Sequence, residues 1–120
     1  MITTSKHIMR VTVGIFVAAA LLSINVRAVR AEDAVTVQVS IKNHRFQPAE
    51  IRAPANKPII LKIKNLDATP MEFESVTLRV EKVVVGNGEG IIRLRPLEPG
   101  RYKFFDDFNQ ETGQGVLVVK

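Results

Sequence analysis

Hydrophobic and polar residues alternate along much of the chain after residue 33. In residues 34–42 and again in residues 59–65, every second side chain is apolar. The apolar positions are Val35, Val37, Val39 and Ile41 in the first segment, and Ile59, Leu61 and Ile63 in the second. A period of two is typical of a strand with one buried face. Both segments are therefore predicted strands, with these side chains turned toward a core.

Further short strands are predicted in the second half of the chain. Residues 49–53, 71–76 and 91–97 are expected to be extended. Residues 77–85 continue the alternation, with inward positions expected at Leu78, Val80, Val83 and Val85. A Pro-Gly turn at residues 99–100 then leads into an aromatic strand in which Tyr102 and Phe104 share a face.

Turn-forming residues separate these segments. Residues 43–48, 54–58, 66–70 and 86–90 are rich in Pro, Gly, Asn and Asp, and the last of these is expected to be a flexible turn. No helical period and no internal repeat accompany them. Seven or so short strands at regular spacing predict an all-β fold, an antiparallel Greek-key β-sandwich.

The first 31 residues have the composition of a secretory signal peptide. Lys6 and Arg10 precede an apolar run over residues 11–24, and small residues suit cleavage after Ala31 or, as an alternative, after Ala28. Residues 32–120 are then a single exported domain, expected in the periplasm without membrane insertion. An uncleaved membrane anchor is the other interpretation, but the apolar run is short for a span of ~20 residues.

Removal of this segment changes the charge balance. It takes four of the 17 Lys and Arg residues and leaves 13 basic against 12 acidic residues. The basic residues alternate singly along the strands instead of clustering, so nucleic-acid binding is not expected. The chain contains no cysteine, so stability has to come from apolar packing or from a bound metal.

The last quarter of the chain carries a family resemblance. Residues 99–105, Pro-Gly-Arg-Tyr-Lys-Phe-Phe, resemble the C-terminal segment of cupredoxins, and Phe46, Pro48, Ile51, Asn65 and Pro70 follow the cupredoxin order. In blue-copper members of that family, the four metal ligands would fall at Met71, Asp106, Asn109 and Gln114. All four residues differ from the usual His, Cys, His and Met. The resemblance therefore implies the fold without the blue-copper electron carrier, which requires a thiolate.

A narrower resemblance is to the cupredoxin-like proteins of bacterial ferrous-iron uptake, the EfeO-type modules and the small periplasmic proteins that accompany iron permeases. It rests on residues 72–75 (Glu-Phe-Glu-Ser), 81–83 (Glu-Lys-Val) and 104–108 (Phe-Phe-Asp-Asp-Phe). It implies binding of iron or copper, as Fe(II), Fe(III) or Cu(II), and either oxidation of Fe(II) or its transfer to a membrane permease. An accessory metal-binding role is preferred to that of a ferroxidase. The partners expected are the permease, other periplasmic iron-uptake proteins and a second copy of the chain as a homodimer.

The candidate metal ligands follow from residue chemistry. Carboxylates and a single imidazole suit hard or borderline cations better than Cu(I). The predicted ligands are His44, Glu72, Glu74, Asp106 and Asp107, with Glu81 and Met71 as weaker candidates.

Each candidate also has a structural interpretation. The glutamates would lie on a solvated outer face if Phe73 packs inward, and an aspartate could bond backbone N–H groups of the following loop. His44 could be an exposed loop residue, Met71 a core side chain, and Asn109 and Gln114 supports of the loop backbone. The alternative function is a metal-free β-sandwich that acts as an adaptor. Hydrolytic and phosphoryl-transfer sites lack the residues they need.

Overall fold

The computed structural model describes residues 33–120 and, before them, residues 3, 12, 14–15 and 17–23. Within this part of the chain nine strands form two sheets packed face to face. The strands are β1 (Val35–Lys42), β2 (Arg45–Gln47), β3 (Glu50–Ala53), β4 (Ile59–Asn65), β5 (Met71–Ser75), β6 (Val80–Val84), β7 (Glu89–Leu94), β8 (Gly100–Asp106) and β9 (Gln114–Val119). A 3-10 turn, Asp107–Asn109, follows β8.

The two sheets are mixed, although most neighbouring strands are antiparallel as predicted. One sheet has the order β2-β1-β4-β7, and the other has the order β3-β9-β8-β5-β6. Strands β1 and β4 run parallel, and so do β3 and β9. Between β1 and β4 the chain crosses to the other sheet to form β3, so it re-enters beside β1 in the same direction. The predicted all-β sandwich is confirmed, with this one correction to strand direction.

The core lies between the sheets and contains the predicted inward positions of β4. Ile59, Leu61 and Ile63 are at most 1% exposed. At one end, three phenylalanines from both sheets form a cluster, Phe46, Phe73 and Phe104. The ring centroids of Phe73 and Phe104 are 4.9 Å apart and stacked, and Phe46 meets Phe104 edge-on at 4.9 Å. This aromatic cluster lies in the core beneath the candidate site.

The prediction of a strand over residues 77–85 was wrong in its first part and in its register. Residues 77–79 belong to a turn, in which the hydroxyl of Ser75 accepts the N–H of Leu78 at 3.2 Å and donates to the carbonyl of Lys103 at 2.7 Å. Strand β6 therefore begins only at Val80, and its pairing places Val84 opposite the buried Met71.

That register reverses the predicted inward positions at the end of β6. Val84 is 2% exposed, whereas Val83 and Val85 are 53% and 67% exposed. Two other boundaries also differ. β7 begins at Glu89, inside the predicted flexible turn, and ends at Leu94, while the predicted loop over residues 43–48 contains the three-residue strand β2.

The predicted signal peptide, residues 1–31, lies mostly outside the described residues and stays a prediction. In the part of the chain that the structure describes, no helix has the length and apolar character needed to cross a bilayer.

Candidate metal centre

Three of the predicted carboxylate ligands converge on the outer face of the five-stranded sheet. Glu72, Glu74 and Asp107 each offer one oxygen, and these oxygens all lie within 4.8 Å of one another. We call these three side chains the carboxylate cluster. Oxygens at this spacing can share one cation held at about 2.0–2.6 Å from each.

Strand geometry explains why the cluster forms. Phe73 is fully buried, so its neighbours Glu72 and Glu74 point away from the core. Phe73 pairs with Asp106 of β8, and this register carries Asp107 alongside β5. The amide Nε2 of Gln110 donates to Oδ1 of Asp107 at 2.7 Å and holds that carboxylate in place.

The negative charges of the carboxylate cluster repel one another, which favours protonation or the binding of a cation. The pKa of Glu72 is raised by partial desolvation and then by the negative charges of Glu81, Asp107 and Glu74. Desolvation, together with Asp107 and Glu81, raises the pKa of Glu74 in the same way. Within residues 33–120, no Lys, Arg or His nitrogen lies within 4.0 Å of these three carboxylates. A bound cation would relieve this repulsion, and carboxylate oxygens suit a hard cation.

Glu81 lies at the edge of the cluster. It pairs with Glu74 across β5 and β6, and its charge raises the pKa of both Glu72 and Glu74. Its side chain is exposed, and it is not one of the three residues whose oxygens converge. Its position allows it to act as an outer member of a cation site.

Asp106 lies beneath this face and is fully buried. Its Oδ1 accepts the backbone N–H of Glu72 at 3.0 Å and of Phe108 at 3.1 Å. Its Oδ2 accepts Nδ2 of Asn109 at 3.2 Å. The bond from Phe108 is the kind of loop contact that was expected for one of the two aspartates, whereas the bond from Glu72 comes from β5.

His44 lies apart from the carboxylate cluster, in the tight turn between β1 and β2. Its backbone N–H donates to Oδ2 of Asp67 at 2.9 Å, and its Nδ1 lies 3.7 Å from the same oxygen. The imidazole lines a shallow groove of about 380 Å³ beside Phe108 and Asn109. The structure thus does not bring His44 into the group of three, and its role as a ligand stays a prediction.

The remaining positions named by the resemblance are occupied by internal contacts. Met71 is 2% exposed and belongs to the core. Asn109 bonds to Asp106, and Nε2 of Gln114 donates to the carbonyl of Gln110 at 2.6 Å.

Sequence reasoning overlooked two residues that organise this end of the sandwich. Asn65 is 1% exposed and fixes the loop after β4, and Asp67 in that loop accepts the N–H groups of Asn43 and His44. One signal was available. The alternation through Ile59, Leu61 and Ile63 places Asn65 on the inward face, where a polar side chain must find partners.

Comparison with known families identifies the fold. The sequence model of the family described as "Cupredoxin-like domain" matches residues 13–119, most of the chain. The chain belongs to the cupredoxin-like family. This membership agrees with the two-sheet architecture and with the resemblance seen in residues 99–105.

One relative of this cupredoxin-like chain is an uncharacterized protein of Rickettsia prowazekii (strain Madrid E), 43% identical over 83 residues. The alignment covers 69% of this chain and 66% of that protein, so the chain spans slightly less than two thirds of its relative.

Two solved structures illustrate the shared fold. The metal-binding domain of the Cu(I)-exporting P-type ATPase CopA of Streptococcus pneumoniae D39, solved with Cu(I), matches with a TM-score of 0.63 and 17% identity over 73% of this chain and 87% of that one. Auracyanin A, a "blue" copper protein of Chloroflexus aurantiacus, matches with a TM-score of 0.62 and 14% identity over 72% and 99%. Both are cupredoxin-like in fold, and at these identities the likeness extends to the fold alone.

The residues of this cupredoxin-like protein do not fit a blue-copper ion. That centre requires a cysteine thiolate with two histidines, and the sequence contains no cysteine. Among the described residues, every buried side-chain nitrogen and oxygen already has a hydrogen-bond partner. Asp106 and Asn109 are engaged in hydrogen bonds within the fold.

Proposed function

We propose that this protein binds a metal cation at the carboxylate cluster and assists ferrous-iron uptake in the periplasm. It would receive iron, or pass it to a membrane permease, as an accessory protein. The observation that carries the proposal is the convergence of Glu72, Glu74 and Asp107. Membership of the cupredoxin-like family supports it, and so does the resemblance of residues 72–75 and 104–108 to proteins of iron uptake.

The chemistry of the cluster favours iron over Cu(I). Three carboxylates provide hard oxygen ligands, whereas the one thioether near them, Met71, is buried in the core. Coulomb attraction grows with the charge of the ion, so the cluster would hold Fe(III) more tightly than Fe(II). Copper as Cu(II) accepts oxygen ligands as well, and for that reason it belongs in the test.

The direct test is a calorimetric titration of the purified protein with Fe(II) under anaerobic conditions and, separately, with Cu(II). We expect a one-to-one site with a Kd below about 1 µM. At free metal about a hundredfold above Kd, binding adds about 2.7 kcal/mol of stability. For a domain of this size the melting temperature should then rise by roughly 10–20 °C.

The matched variants separate this site from general acidity. The triple variant Glu72→Gln/Glu74→Gln/Asp107→Asn should lose the binding heat and the thermal shift. Glu89→Gln/Glu98→Gln/Glu111→Gln removes the same number of charges at exposed positions elsewhere and should keep both. Equal loss in the two variants would show that only overall negative charge matters.

The role in uptake needs a cellular test. Deletion of the gene should reduce Fe(II) accumulation during iron limitation. The wild-type chain should restore it, and the Glu72/Glu74/Asp107 triple variant should not. Restoration by that variant would separate the protein's role from metal binding at this cluster.

A second function, a metal-free adaptor for another protein of the export compartment, is favoured by one observation. All four residues at the usual copper positions make internal contacts in this chain. If neither metal gives heat or a thermal shift, the adaptor becomes the better interpretation.

A further inference from the structure

Asp106 links two elements that meet at the end of the sandwich. Its Oδ1 bonds to the backbone of Glu72 in β5, and the same oxygen bonds to Phe108 in the loop between β8 and β9. Its Oδ2 holds the side chain of Asn109 in that loop. One buried carboxylate thus accepts three N–H groups, and it is 0% exposed.

The backbone of the same loop packs closely against the main chain and Cβ of Asp106. The N–H of Asp106 donates to the carbonyl of Gly113 at 2.8 Å, and the N–H of Gly113 donates to the carbonyl of Asn109 at 2.9 Å. A Cβ at Gly113 would lie 2.6 Å from the Cβ of Asp106. The space between Gly113 and the Cβ of Asp106 is therefore already filled, and a larger group there would have to move the loop.

The same positions have another use in the family that the chain resembles. The resemblance implies that in blue-copper members a metal joins a ligand at the position of Met71, the first residue of β5, to ligands at the positions of Asp106 and Asn109. In this chain Asp106 joins these same two elements through hydrogen bonds. Hydrogen bonds to a carboxylate are stronger than neutral ones, so a carboxylate is well suited to take over a link made by an ion.

We propose that the Asp106–Asn109 unit replaces the metal as the structural link between β5 and the β8–β9 loop, and that it closes the usual copper position. This inference does not depend on the proposed function, because it concerns the side chains of Asp106 and Asn109 and not those of the carboxylate cluster. It predicts that the closed position can be reopened by restoring metal ligands there.

The first test rebuilds a copper site. The variant Met71→His/Asp106→Cys/Asn109→His places two imidazoles and a thiolate at these positions, and Gln114 can remain as a weak axial ligand. Added Cu(II) should give this variant the strong visible absorption of a thiolate–copper centre. The control Met71→His/Asn109→His, which keeps Asp106 and has no thiolate, and the wild type should both lack that absorption. A folded triple variant without that absorption would overturn the inference.

The second test measures the link itself and does not require the rebuilt site to fold. Asp106→Ala should lower the melting temperature by on the order of 10 °C, because three N–H groups lose their acceptor. Asp106→Asn keeps an oxygen for both backbone N–H groups and should recover part of the loss. Asp67→Ala is the matched control, since Asp67 also accepts two backbone N–H groups but lies outside this loop, and its effect should be smaller. Melting of Asp106→Ala within 2 °C of the wild type would refute the link.

The third test asks where any copper binds in the wild-type chain. Asn109→Ala should leave the affinity for Cu(II) unchanged, because the inferred unit excludes copper. A loss of tenfold or more would mean that Asn109 is a ligand, and the closure would be wrong. The same titration with the Glu72/Glu74/Asp107 triple variant reports on the proposed function separately, so failure of one idea can be distinguished from failure of the other.

Discussion

Asn65 offers the sharpest test of how this end of the sandwich is held together. Its Nδ2 donates to the carbonyl of Thr69 at 2.9 Å and to those of Val84 and Val85 at 3.2 Å each. Its Oδ1 accepts the N–H of Asp67 at 3.0 Å. One buried amide thereby ties the loop after β4 to the end of β6, on the opposite sheet.

Replacement of Asn65 by Ala should cost about 3 kcal/mol in the free energy of unfolding. The two amide protons and the one acceptor oxygen make about three hydrogen bonds, each worth about 1 kcal/mol net. For a domain of this size, 1 kcal/mol changes the melting temperature by about 4–8 °C, so we expect a drop of roughly 12–24 °C. Urea unfolding followed by circular dichroism, with a parallel thermal melt, measures both quantities.

The near-isosteric variant Asn65→Asp gives the decisive comparison. It keeps the acceptor for Asp67, but it turns a second oxygen toward the carbonyls of Thr69, Val84 and Val85. At neutral pH it should be less stable than Asn65→Ala, since a buried charge faces only acceptors. The introduced carboxyl should have a raised pKa in the folded state, so its penalty should shrink as pH falls and the group becomes a donor.

Two outcomes would refute this account of Asn65. One is an Asn65→Asp variant as stable as the wild type at neutral pH. The other is a penalty that grows as the pH falls, because a carboxyl with a raised folded-state pKa binds more protons in the native state than in the unfolded one.

Two further predictions concern the carboxylate cluster and the aromatic cluster. Desolvation and neighbouring negative charges raise the pKa values of Glu72 and Glu74 in the folded state. These two groups therefore favour folding most at low pH. That contribution is lost as pH rises through their folded-state pKa values. The melting temperatures of Glu72→Gln/Glu74→Gln and of the wild type should therefore be compared from about pH 4 to pH 8 in low salt. As pH rises, the variant should become more stable relative to the wild type. A difference in melting temperature that stays constant would contradict the raised pKa values. Gly115→Ala should lower stability by about 1–3 kcal/mol in urea unfolding, because its Cβ would lie 2.3 Å from the ring of Phe104, and an unchanged midpoint would mean that the ring moves freely.

The sequence by itself determined the class of fold and most of its strands. Alternation through residues such as Val39, Ile41 and Ile63 identified β1 and β4, because a strand with one buried face leaves a period of two in the chain. The same rule placed Glu72 and Glu74 on the face opposite Phe73. Residue types alone also excluded a blue-copper centre, since no folding can supply a missing thiolate.

Only the tertiary structure decided which of these residues meet. The parallel pairing of β1 with β4 depends on a crossing between sheets, which local alternation does not encode. The register of β6 differs from the predicted one because a turn follows Ser75. In that turn the hydroxyl of Ser75 donates to the carbonyl of Lys103, which lies 28 residues further along the chain.

The two adjacent aspartates illustrate the same division. Successive residues of a strand face opposite sides, so the sequence could predict that Asp106 and Asp107 separate. Alternation from Phe104 also placed Asp106 on the inward face. It could not predict that β5 would pair with β8, which gives Asp106 the N–H of Glu72 as a partner and leaves Asp107 beside Glu72 and Glu74. The site is thus a product of strand register, which is set by contacts between residues far apart in the chain.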